Sequence, residues 1–144
     1  MRAQAANANL QTLKLRDGIY MISGAGGNMV ALDGPDGKVL VDSSFSSVAA
    51  KLRQSLDSLS SAPLKILVNT HWHFDHTDGN APLHDAGALI LAHENTRKRL
   101  STPQYISDFG SLGAQTRRTA RGTGFYARSG APGNKRHFRT EKSP

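Results

Sequence analysis

His71-Trp72-His73-Phe74-Asp75-His76 is the stretch that decides how this chain is read. Three imidazoles and one carboxylate stand at the spacing H-x-H-x-D-H. In an extended segment, side chains two apart point the same way. His71 and His73 can then close on one metal ion, and Asp75 and His76 can reach a second beside it. Neutral imidazole and carboxylate are ligands of catalytic zinc, at about 2.0–2.2 Å. The chain has no cysteine, so it has neither a disulfide framework nor a thiolate site, and any metal must use His, Asp or Glu. The competing reading is a surface loop rich in histidine.

The flanks favour a built site. Leu64-Lys65-Ile66-Leu67-Val68 is a short apolar run that predicts a buried strand ending just before the cluster. Ligand sites in open α/β sheets lie beyond the carboxyl ends of strands. Upstream, Val48, Leu52, Leu56 and Leu59 fall at helical spacing among Lys51, Arg53 and Asp57, which predicts an amphipathic helix laid on a sheet. Asp42-Ser43-Ser44 precedes it. Asp42 either caps that helix or holds the metal loop through backbone hydrogen bonds.

Farther out, Leu13 and Leu15 alternate with polar neighbours before Asp17-Gly18, and Ile19 to Ser23 completes a hairpin. Gly24-Ala25-Gly26-Gly27-Asn28 reads as a plain connector in preference to a phosphate cradle, because no helix follows. Met29 to Leu32 and Lys38 to Val41 are predicted strands around a Gly- and Pro-punctuated turn. After the cluster come a short helix over 81–86, a strand over 88–92 and a helical turn over 95–100. Strand–helix–strand order with short connections predicts a layered α/β domain.

The net charge of +7 does not describe the whole chain. Residues 1–110 balance at ten basic and ten acidic side chains, whereas residues 111–144 hold eight Lys/Arg and one Glu. From Ser111, Val, Ile and Met vanish, and the large apolar residues are Leu112, Phe125, Tyr126 and Phe138. Such a composition predicts a disordered basic tail. No apolar run approaches the roughly 20 residues of a membrane span, and MRAQAANANL lacks an apolar signal core. The chain as written reads as cytoplasmic. Ala3-Gln4-Ala5 resembles the end of a cleaved leader, which would make it periplasmic or secreted.

Thr70 extends the cluster to Thr-His-x-His-x-Asp-His, with Gly79 three places after His76. The string HWHFDHTDGN, residues 71–80, resembles the signature of the metallo-β-lactamase-fold hydrolases. That superfamily includes β-lactamases, glyoxalase II-like thioesterases, lactonases and RNA-processing nucleases. The resemblance covers about residues 10–109 and looks like the general hydrolase branch. It implies a four-layer αββα sandwich of which residues 1–110 are the N-terminal half. It also implies up to two Zn²⁺ ions, with His71 and His73 on the first and Asp75 and His76 on the second. Asp75 would also orient the attacking water and help move its proton.

The neighbours carry weaker signals. Trp72 and Phe74 either wall the pocket or pack on the sheet. Asp78 either fixes a ligand imidazole or shapes a turn with Gly79 and Asn80. His84 and His93 fall outside the family pattern and read as surface or supporting residues. His93-Glu94 does not begin an H-E-x-x-H motif, since position 97 is Arg.

The chain departs from the family in its second half. A complete member supplies a third His to the first metal, a bridging Asp and a final His. Here the one His after position 93 is His137, in Lys135-Arg136-His137-Phe138-Arg139, which matches none of these. The leading expectation is therefore a truncated zinc hydrolase of an ester, thioester, lactone or β-lactam, inactive or weak alone. The alternatives are a nucleic-acid-processing member, whose basic tail would bind RNA, and a non-catalytic metal-binding fragment. Expected partners are a small-molecule substrate and, through the sheet face that half a sandwich leaves uncovered, a second chain. Membrane and nucleic acid are not expected. Residues 111–144 read as the product of a frameshift, which the DNA past the Gly110 codon, read in the other frames, would test.

Overall fold

The computed structural model of the chain describes residues 5–102, 104–106, 111–113 and 123–127. Strands β1 (Gln11–Arg16), β2 (Ile19–Ser23), β3 (Met29–Gly34) and β4 (Gly37–Val41) form an antiparallel meander. A 3₁₀ turn (Ser46–Val48) runs into α1 (Ala49–Asp57), and β5 (Leu64–Asn69) follows, parallel to β4. The histidine cluster leads into α2 (Phe74–Thr77) and α3 (Asn80–Asp85). Next come β6 (Leu89–His93), parallel to β5, and α4 (Glu94–Leu100). β7 (Gln104–Ile106) pairs with β8 (Ser111–Gly113), and β9 (Thr123–Ala127) joins β6 in parallel. The main sheet has seven strands in the order β1-β2-β3-β4-β5-β6-β9. This is the layered α/β fold that the sequence predicts.

Register sorts the sheet's side chains into rows. Tyr20, Ala31, Leu40, Leu67 and Ile90 stand opposite one another across five strands. Leu52 and Leu56 of α1 and Leu83 of α3 pack onto this face, with Ile22 and Met29 completing the core. Each fully buried aliphatic side chain there contributes about 1.5–3 kcal/mol. The predicted helix period is what is buried: Val48, Leu52 and Leu56 are sealed, and Leu59 is half-buried against them. Lys38 is also sealed on this side, its ammonium donating to Ser60 O at 2.7 Å and to Ala62 O. Those bonds fix the turn between α1 and β5 and satisfy a charge that would otherwise be costly to bury.

The opposite face carries two other rows. One runs Leu13, Met21, Val30, Val41, Val68, Leu91, and the other Ile19, Leu32, Val39, Ile66, Leu89. All eleven are apolar and none is fully buried, and across a β-bulge in β1 the second row ends on Arg16, opposite Ile19. A sheet apolar on both faces belongs between two layers. Among the described residues only one of those layers, the helices, is seen packed on it.

The segment from 111 on was expected to lack order. Its described residues are the strands β8 and β9, and the rest of it lies outside the described residues. Thr123, Phe125 and Tyr126 are strand-favouring types, which helps explain why this part of a Gly- and Arg-rich segment reaches the sheet. No helix among the described residues is long and apolar enough to cross a membrane.

Candidate metal centre

β4 and β5 run parallel with Val41 opposite Val68, so the chain leaves both carboxyl ends side by side. Asp42 N donates to Val68 O at 2.8 Å. Asp42 is buried and holds φ at 63°, a left-handed conformation that Asp tolerates better than most residues. Its carboxylate faces the histidine loop. Oδ1 accepts from Thr70 N at 2.8 Å, and Oδ2 accepts from Thr70 Oγ1 at 2.7 Å and lies 2.8 Å from His76 Nδ1. Of the two roles the sequence offers Asp42, the loop tie is the one observed. The 3₁₀ turn is preceded by Phe45, with no side-chain cap bond.

The network assigns the tautomers. Thr70 Oγ1 gives its proton to Asp42 and so accepts from His71 Nδ1, 2.9 Å away. His76 Nδ1 donates to Asp42. His71 is left with a free Nε2 lone pair. His76 Nε2 faces Asp75 Oδ2 across 3.5 Å, an arrangement that a shared proton or a metal cation satisfies. Burial, and then the neighbouring His76 and His73, hold His71 below the ordinary imidazole range, with Asp42 and Asp75 pulling the other way. A neutral imidazole is the form that binds metal.

The expectation of an extended cluster is corrected. Residues 70–72 are bends, and Asp75 and His76 sit on the helical turn α2. That turn is set by His76 N donating to His73 O at 3.0 Å and by Thr77 Oγ1 donating to the same carbonyl at 3.0 Å. The helix brings His76 back over His71, with ring centroids 4.1 Å apart, while His71 and His73 meet edge-on at 4.6 Å. The four predicted ligands are thus gathered at one place. Among the described residues, however, no group of three or more His, Cys, Asp or Glu side chains is already arranged to hold a metal ion. The donor chemistry and the orienting bonds fit a divalent metal, but a closed coordination shell is not preformed.

The loop is clamped at its base. Asn69, the last residue of β5, and Asn80, the first of α3, exchange amide hydrogen bonds at 2.8 and 3.0 Å while buried. Ser43 Oγ lies 2.9 Å from Asn80 Oδ1, and Ser43 N donates to His76 O at 2.8 Å. Asp78 Oδ2 accepts from Ser46 N at 3.0 Å and Ser46 Oγ at 2.7 Å, tying the loop to the 3₁₀ turn. Phe74 stacks at a tilt on Phe45, centroids 5.8 Å apart, and packs with a small cluster of Ala25, Phe45 and Val48. Trp72 stays partly exposed, edge-on to His73 at 4.7 Å, with the Arg99 guanidinium 5.1 Å above its ring.

Gly24–Asn28 proves to be more than a connector. Gly27 N donates to Asp75 O at 3.4 Å, and a Cβ on Gly27 would stand 2.2 Å from His76 Cε1. The loop lies against the metal-site histidine, where only glycine fits. Sequence reading missed this, along with Ser43 and the Asn69–Asn80 pair. The glycine pair in Gly24-Ala25-Gly26-Gly27-Asn28 was the available signal. His84 and His93 are supporting residues: His84 Nδ1 lies 3.0 Å from Ala88 O, and His93 Nδ1 accepts from Asn95 N at 3.1 Å at the start of α4.

The family description "Metallo-beta-lactamase superfamily" matches residues 23–140. The chain belongs to the metallo-β-lactamase superfamily. The match extends through the basic segment as well. Among solved structures, the Rm3 metallo-β-lactamase is 26% identical, with a TM-score of 0.61 over 72% of this chain and 40% of its own. A subclass B3 metallo-β-lactamase from a soil metagenome library is 25% identical, TM-score 0.60, over 69% and 39%. The subclass B3 enzyme of Bradyrhizobium japonicum is 24% identical, TM-score 0.60, over 70% and 39%. This superfamily chain thus spans about two-fifths of the length of these relatives. No curated protein matches it.

Proposed function

We propose that this fold serves metal-dependent hydrolysis, with Zn²⁺ the metal and an ester, thioester, lactone or β-lactam the substrate class. The observation that carries the reading is the bond from His76 Nδ1 to Asp42, together with the bond from His71 Nδ1 to Thr70, which leave Nε2 of both rings on the metal-binding side. His71 and His73 would hold one ion, and Asp75 and His76 a second. A bound zinc ion supplies Lewis acidity and lowers the pKa of its water to about 7. The chain's own residues orient. Asp42 and Thr70 hold the two rings, the Asn69–Asn80 pair ties the ends of the loop, and Asp75 would accept a proton from a nucleophilic water.

Catalytic zinc normally has three protein ligands, and no such set is preformed among the described residues. The proposal therefore includes weak metal binding and little turnover by residues 1–144 alone. The test is hydrolysis of a generic ester, a thioester and a β-lactam with and without added zinc, in the wild type and in Asp75→Asn. Rates close to the zinc-free background are expected. Robust zinc-dependent turnover abolished by Asp75→Asn would show that the site is catalytically sufficient. Zinc-independent turnover, unchanged in the variant, would remove the hydrolytic reading of this loop. The basic residues of 111–144 support a nucleic-acid reading as the alternative, which predicts salt-dependent RNA binding.

A further inference from the structure

Residues 5–10 are tied to the glycine-rich loop that touches His76, and we propose that this segment is a positioning element of the metal site. The inference rests on the metal-binding reading of residues 71–76. The Lys51 ammonium, on α1, donates to Ala6 O at 2.9 Å and to Ala8 O at 2.8 Å. Ala8 N donates to Ala5 O at 2.9 Å, closing a turn between them. That turn sets Ala5, which is buried, into the small cluster of Ala25, Phe45 and Val48, with Ala8 and Leu10 packed against it. The backbone of Asn9 and Leu10 lies on Gly24. A Cβ added to Gly24 would stand 2.3 Å from Asn9 O and 3.3 Å from Leu10 Cα. The segment holds no His, Cys, Asp or Glu, so it supplies position and no ligand.

From Gly24 the contacts run on to the metal-site residues. Ser44 Oγ donates to Ala25 O. A Cβ on Gly26 would stand 2.8 Å from Asp75 O and 3.0 Å from the Phe45 ring, and Gly27 lies against the His76 ring. Gly27 N donates to Asp75 O at 3.4 Å. Phe45 in turn stacks on Phe74, which stands between His73 and Asp75 in the chain. A loop with glycine at 24, 26 and 27 has little stiffness of its own. Its shape is therefore set by what packs on it, and residues 5–10 are among those neighbours. Close-packed groups pass a displacement on, because there is no void to absorb it. Release of residues 5–10 frees Gly24 and loosens the wall on which His76 rests. Zinc takes an imidazole nitrogen at about 2.0–2.1 Å, so a looser His76 means weaker binding.

The test compares the full chain with Lys51→Met, Lys51→Arg, Gly24→Ala and Gly87→Ala. Gly24 and Gly87 both hold positive φ, +128° and +105°, so alanine strains the backbone at each, but only Gly24 has Asn9 to displace. Two quantities are read: zinc affinity under chelator competition, and amide exchange at Gly27 and His76 in the metal-free protein. Lys51→Met and Gly24→Ala are expected to bind zinc about tenfold more weakly, the lower end of the loss seen when ligand-orienting groups are removed. Their Gly27 and His76 amides are expected to exchange faster. Lys51→Arg, which can still donate to both carbonyls, and Gly87→Ala are expected to match the wild type in both readings. Circular dichroism checks folding, and if Gly24→Ala does not fold, Lys51→Met against Lys51→Arg carries the comparison. Wild-type zinc affinity and exchange in folded Lys51→Met would overturn the proposal, as would an equal fall in Gly87→Ala, which would reduce the effect to stability. Failure of the metal reading is a separate result: zinc uptake by the wild type no greater than by His71→Ala, His73→Ala.

Discussion

Asp42 Oδ2 lies 2.8 Å from His76 Nδ1, across 34 residues of sequence. The carboxylate at the end of one strand thereby holds the histidine of a loop that follows the next. The same carboxylate binds the backbone and the hydroxyl of Thr70, so one buried anion sets both the start of the loop and its last imidazole. Its positive φ is the local cost of aiming it, about 1 kcal/mol or somewhat more.

Asp42→Asn tests that relationship. Asn keeps the shape and tolerates the left-handed conformation, but its amide nitrogen cannot accept the bonds that Oδ2 accepts. Zinc affinity is expected to fall about 10–100-fold, as when other orienting partners of ligand imidazoles are lost. Titration with zinc under competition from a chromophoric chelator reads this directly. Unchanged affinity would mean that His76 is oriented by something else.

Gly27→Ala places a methyl on the His76 ring, where the ideal Cβ stands 2.2 Å from Cε1. The ring must leave its bond to Asp42, so zinc affinity should drop at least as far as in Asp42→Asn. Gly87→Ala is the control. Its Cβ meets nothing within 4 Å, and its φ of +105° is the sole penalty. It should lower stability by about 1 kcal/mol or more and leave zinc affinity unchanged.

Asn80→Ala strips both the nitrogen and the oxygen of the buried Asn69 amide of their partner, while the Ser43 hydroxyl keeps its bond to His76 O at 3.0 Å. Each unsatisfied buried group costs about 1–3 kcal/mol, so a loss of about 2–4 kcal/mol is expected in urea unfolding. Asn69→Ala added to it should cost much less than its own single value, because the two side chains act as one pair. Simple additivity would contradict the clamp.

Much of this was legible in the sequence because it was local. Alternation in Leu13–Leu15 and Ile19–Ser23 gave the hairpin, the Val48-Leu52-Leu56 period gave α1, and Leu64–Val68 gave the strand before the loop. The four clustered ligand types were readable for the same reason. What the sequence did not reveal depends on elements meeting. Gly27 against His76, Ser43 against Asn80, and the choice between tie and cap for Asp42 need the parallel register of β4 and β5. The helical turn at Phe74–Thr77 was hidden because His-x-His-x-Asp alternates like a strand, while the bonds to His73 O wind it. The strand β9 was masked by the Gly and Arg around Phe125-Tyr126, in a segment that the family match includes up to residue 140.

The central claim is that residues 71–76 bind the metal. It is tested most directly by elemental analysis of zinc in purified, zinc-loaded and dialysed protein, wild type beside the double variant His71→Ala, His73→Ala. The account predicts weak retention in the wild type, nearer one ion than two, since a closed ligand shell is not preformed among the described residues. It predicts none in the double variant. Equal zinc in both proteins would contradict it.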